Sequence, residues 1–116
     1  MDDIRELLVK AGIANNVMNP NLKRNKAIAQ METDCIPKPG LTFLQVRDAL
    51  LGMGHILETN EEKHYFLSTI RVGIRAAILI AQTGKNQVDV ATWAEEGLIP
   101  QNTARKALDQ FRAALK

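Results

Sequence analysis

Residues 69–82 read Thr-Ile-Arg-Val-Gly-Ile-Arg-Ala-Ala-Ile-Leu-Ile-Ala-Gln, and the fold turns on what this run forms. With Ser68 just before it, the polar side chains Arg71, Arg75 and Gln82 recur at helical intervals, and between them the run is Ile, Val, Leu, Ala and Gly. A helix apolar around most of its girth has to be surrounded by protein. Gly73, Ala76 and Ala77 would let a neighbour approach closely, and Thr83-Gly84 supplies a C-terminal stop. The run therefore predicts a central helix over 69–82 and, around it, a mainly α fold.

On the N-terminal side, Asp2 or Asp3 caps a first helix carrying Ile4, Leu7, Leu8 and Ala11 on one face, ended by Asn19-Pro20. A short helix is expected from 22 to 31, with Leu22, Ile28 and Met31 inward. Ile36-Pro37-Lys38-Pro39-Gly40 is a rigid loop. Thr42 and Gln45 have capping-box spacing, and Phe43, Val46, Leu50 and Met53 continue it as an amphipathic helix over 43–53. Residues 55–68 read as strand, polar turn (Asn60-Glu61-Glu62-Lys63) and strand, with Tyr65 and Phe66 favouring a pleated surface. A rival capping box, Thr59 and Glu62, would start a long helix there; the hairpin is preferred.

On the C-terminal side, Asp89 is placed to cap a helix over 90–96, with Val90, Trp93 and Ala94 on one face. Gly97 makes a turn, Ile99 re-enters the core and Pro100 suits the first turn of a second helix. Ala104, Ala107, Leu108, Phe111 and Leu115 form that helix's apolar stripe, opposite Gln101, Asn102, Arg105, Lys106, Asp109, Gln110 and Arg112. Residues 90–108 thereby resemble the helix-turn-helix of bacterial and phage DNA-binding proteins. Ala94 matches the small residue at the helix crossing and Thr103 the polar residue near the start of the recognition helix. Gly97 falls one residue early, and Pro100 stands where Ser or Thr is usual.

The resemblance implies a transcriptional regulator, or a plasmid- or phage-type accessory factor, bound to double-stranded DNA. Gln101, Asn102, Thr103, Arg105 and Lys106 would lie at bases and nearest phosphates, with Arg112 and Lys116 on the backbone. It also implies a homodimer, because one recognition helix reads a half-site. A fainter resemblance, of 51–58 and 65–67 to a winged-helix repressor, would place the acidic 60–63 tip against phosphate, where it would be repelled.

The 116 residues, 46% hydrophobic, fit one compact domain: N-terminal helices to residue 54, the hairpin over 55–68, then the central helix and the helix-turn-helix-like unit. Net charge is only +2, but basic residues cluster at Lys23, Arg24 and Lys26 and again after Gln101. The single cysteine, Cys35, excludes an internal disulfide and fits a cytoplasmic protein. The start of the chain has no signal-peptide pattern, and no apolar run is long enough to span a bilayer.

Cys35, His55 and His64 lack metal-ligand spacing, Gly84-Lys85 lacks the rest of a phosphate-binding loop, and Trp93 shares an apolar face as a core anchor. No cofactor, metal or catalytic group is expected. The competing function is a non-enzymatic protein–protein adaptor or inhibitor on a helical scaffold, favoured by the low net charge, by Asp109 on the reading face and by the acidic tip.

Overall fold

The structure, a computed structural model, describes residues 4–18, 29–95 and 101–115. Its elements are α1 (Ile4–Ala14), β1 (Ala29–Pro37), α2 (Phe43–Leu51), β2 (Gly54–Asn60), β3 (Tyr65–Val72), β4 (Arg75–Gly84), β5 (Gln87–Glu95) and α3 (Thr103–Ala114). The strands make one antiparallel sheet in the order β1-β5-β4-β3-β2. This is an α+β fold, and the mainly α expectation is corrected.

The correction begins at 69–82. The run is not a helix; it is the end of β3, the two-residue turn Gly73-Ile74 and most of β4, with Val72 paired to Arg75 across the turn. Gly73 has φ +62° while Ile74 stays at negative φ, the pattern of a type II′ turn, which suits the twist of a hairpin and asks for glycine first. The apparent helical stripe has separate explanations along the strands. Ser68 is buried and its Oγ donates to the His55 carbonyl at 2.8 Å. Arg75 closes the turn opposite Val72, Arg71 pairs with Ala76 one position farther along, and the Gln82 amide donates to the Lys63 carbonyl at 3.1 Å.

The hydropathy pattern misled because both faces of the sheet are covered. On one face Phe66, Ile70, Leu79 and Val90 pack against α2 and α3 through Val46, Leu50, Leu108 and Phe111. On the other, Leu67, Ile78, Ile80, Ala91 and Trp93 pack against Leu8 and Ala11 of α1. A strand buried on both sides shows no polar alternation, and its short apolar run cannot be told from a buried helix by period.

The helix-turn-helix-like unit is corrected for the same reason. Residues 90–95 belong to β5, which pairs β1 on one side and β4 on the other, so the first helix of the motif does not exist. Asp89, read as its cap, is a strand residue opposite Cys35. The end of the expected 22–31 helix is also strand, since 29–31 lie in β1; the rest of it, and the Gly97 turn, fall outside the described residues.

Several readings stand. Strands 54–60 and 65–72 form the expected hairpin, and α2 carries its capping box: Gln45 N donates to Thr42 Oγ1 at 3.2 Å and Thr42 N to Gln45 Oε1 at 2.9 Å. The Lys38–Gly40 loop is tied to the β4–β5 turn: Lys38 N donates to the Asn86 carbonyl and Gly40 N to Asn86 Oδ1. At the end of α1, Glu58 accepts from Tyr65 Oη at 2.7 Å and from Asn15 Nδ2 at 2.8 Å, which fastens the helix to the sheet.

Candidate functional site

α3 lies across the sheet because its stripe leaves it no alternative. Ala104, Ala107, Leu108 and Phe111 are fully buried, and each large side chain among them contributes about 1.5–3 kcal/mol. Beneath its first turn Thr92 Oγ1 donates to the Ala104 carbonyl at 2.7 Å, so a buried hydroxyl on β5 fixes where the helix begins. That anchoring sets the outward face: Arg105, Lys106, Asp109, Gln110 and Ala113 are exposed.

The two arginines of that face are engaged within the fold. Arg112 Nε donates to Asp34 Oδ2 at 2.9 Å, Nη2 also donates to Asp34 Oδ2, and Nη1 donates to Asp109 Oδ1 at 2.9 Å. The hydrogen-bonded Asp34 carboxylate raises the Arg112 guanidinium further above its ordinary range. Arg105 pairs with Glu32 at 3.4 Å and with Asp109 at 3.5 Å. Glu32 and Asp34 both lie on β1, so the network ties the edge strand to the helix above it. At this exposure each pair is worth at most about 1 kcal/mol.

The residues expected to read DNA do not share one open surface. Thr103 is buried, at 1% exposure, and cannot reach a base. Asn102 sits at the helix N-cap in a left-handed conformation, φ +56°. Arg105 and Arg112 are held by carboxylates, and Lys116 lies outside the described residues. Gln101 and Lys106 share a surface, but its other half comes from the β3–β4 turn rather than from a second helix. The homodimer expectation rested on half-site spacing and loses that premise with the motif.

That surface is an open groove of about 720 Å³ between the turn and α3. Val72, Gly73, Ile74 and Arg75 form one wall; Gln101, Lys106, Asp109, Gln110 and Ala113 form the other. Arg75 Nε donates to Gln101 Oε1 at 3.1 Å, bridging the walls at one end. Ile74, at 104% of its reference area, has no cover at all. Ile74 and Arg75 were missed because the sequence placed them inside a helix. The available signal was Gly73 amid the β-branched Ile70, Val72 and Ile74, a glycine that a strand-turn-strand needs and a helix does not.

The remaining candidates are structural or isolated. The His64 ring meets Phe43 edge-on at 5.7 Å, in a turn where His64 has φ +58°. The exposed Cys35 thiol is pushed up by a hydrogen bond to Asp89, and slightly by burial, which suppresses the thiolate. Among the described residues no three metal-ligating side chains cluster, and no helix is long and apolar enough to cross a membrane. No family model matches the chain, and no curated protein or solved structure matches it significantly.

Proposed function

We propose that this chain is a non-enzymatic protein-binding module, of the adaptor or inhibitor kind, whose contact surface is the groove between the Gly73-Ile74 turn and α3. The observation that carries the reading is Ile74. The second position of a two-residue turn ordinarily favours small polar residues, and a β-branched aliphatic there is of no use to the turn itself. Its side chain, wholly in water, holds about 1.5–3 kcal/mol of burial free energy that only a partner can realise. Val72 and Ala113 extend the apolar surface beside it.

Duplex DNA suits this surface less well. An isoleucine tip has no phosphate to meet, and the α3 guanidiniums, Arg105 and Arg112, already serve Glu32, Asp34 and Asp109.

The test is photo-crosslinking in cells, with a benzophenone amino acid in place of Ile74 and, as control, of Lys85 in the β4–β5 turn at the opposite end of the strands. The expected result is a discrete protein adduct at 74, missing at 85, and competed by excess wild-type chain but not by Ile74→Ser. Identical adducts at both positions, or equal competition by Ile74→Ser, would overturn the proposal.

A further inference from the structure

We infer that the groove's partner is an acidic protein segment carrying an apolar anchor, with carboxylates meeting Arg75 and Lys106 and the anchor packing on Ile74. The inference rests on the protein-binding reading above and adds the partner's chemistry to it.

The charges around α3 sort into two groups. Arg105 and Arg112 are matched by Glu32, Asp34 and Asp109, and Asp109 Oδ1 is shared by both arginines. Arg75 and Lys106 are different: neither forms an ion pair among the described residues, and they stand on facing walls of one groove. Arg75 commits only its Nε to Gln101, which leaves the two terminal nitrogens of the guanidinium for a carboxylate. Asp109 takes both arginines on Oδ1, and with the five paired groups carrying one net negative charge, Arg75 and Lys106 leave this face of α3 net positive. Val72, Ile74 and Ala113, all partly or fully exposed, line the same groove.

Cations and aliphatic carbon on the same walls describe a ligand that carries both negative charge and an apolar side chain. The groove is open along its length, which suits an extended or helical stretch of polypeptide rather than an enclosed small molecule. A nucleic acid would satisfy the cations but leave the isoleucine uncovered.

The test pans a random dodecapeptide display library against the full chain, then measures synthetic copies of the enriched peptides by fluorescence anisotropy. The inference expects enrichment of Asp or Glu beside Leu, Ile or Phe. It expects at least about a tenfold loss of affinity in Arg75→Glu/Lys106→Glu, a similar loss in Ile74→Ser, and weakening as salt rises. Arg75→Gln/Lys106→Gln, with intact folding checked by circular dichroism, should lose affinity in the same direction and guards against a reversal variant that fails to fold. Enriched peptides without acidic residues, or undiminished binding by the charge variants while Ile74→Ser abolishes it, would overturn the acidic partner and leave the protein-binding reading standing. Peptides indifferent to Ile74→Ser, or no enrichment at all, would overturn both. Displacement of bound peptide by mixed-sequence duplex DNA would instead assign the cations to phosphate.

Discussion

Gly73 and Ile74 carry more of this molecule's behaviour than any other adjacent pair. Gly73 needs its freedom for φ +62°, and a Cβ placed there would meet nothing within 4 Å, so any penalty for a side chain is purely one of backbone conformation. Gly73→Ala should therefore destabilise the fold by about 1–2 kcal/mol in chemical denaturation. Ile74→Ser should change stability by no more than about 0.5 kcal/mol, since the side chain contacts nothing it could lose. An equal and large loss in both would mean that Ile74 packs inside the protein and is not a displayed side chain. The turn was within reach of the sequence, because one glycine interrupts a run rich in β-branched residues. What hid it was the coincidence that Ser68, Arg71, Arg75 and Gln82 fall at helical spacing although Ser68 bonds the His55 carbonyl, Arg75 bonds Gln101 and Gln82 bonds the Lys63 carbonyl.

Among the elements, the three helices and the β2–β3 hairpin were legible, and the buried strands β4 and β5 were not. In α2 the Thr42–Gln45 capping box and the Val46 and Leu50 spacing declare a helix because one side of it faces water. The same holds for α3, where Leu108 and Phe111 are buried and Arg105 and Gln110 are not. β5 faces no water over most of its length: Val90, Thr92 and Ala94 are buried on one side, Ala91 and Trp93 on the other. Val90, Trp93 and Ala94 at spacings of three and four then imitate a helical stripe.

The contact between α1 and the sheet offers a titration test. Burial, and then the hydrogen bond to Glu58, raise the Tyr65 phenol above its ordinary value near 10. A raised folded value means that the stabilisation is complete below the unfolded value and disappears as pH climbs through the folded one. Wild type should therefore lose stability above pH 10 more steeply than Tyr65→Phe, while at neutral pH the variant should be weaker by about 1–2 kcal/mol for the lost bond to a carboxylate. Parallel alkaline profiles would mean that the phenol is not held by Glu58.

As a whole the molecule is a five-stranded sheet with helices on both faces, and α3, held by its buried stripe, is further tied to the sheet by the Thr92 hydroxyl and two β1 carboxylates. No periodicity in the sequence announces that arrangement, because it depends on pairings between strands far apart in the chain: Met31 with Trp93 and Asp34 with Val90. The consequence for function is direct. The two arginines of the helix that resembled a DNA reader are paired with carboxylates of β1, and the surface left open combines the outer face of α3 with the tip of a hairpin.

That surface exists only because residues 69–82 form strand, turn and strand. Nuclear Overhauser contacts measured across this run in the full chain decide the matter. The account predicts backbone contacts linking Ile70 with Ala77, Leu67 with Ile80 and Ile78 with Trp93, with extended-chain chemical shifts on both sides of Gly73. Sequential amide–amide contacts with Hα(i) to HN(i+3) connectivities from Thr69 through Gln82 would show a continuous helix instead, and would remove the hairpin, its groove and the site built on them.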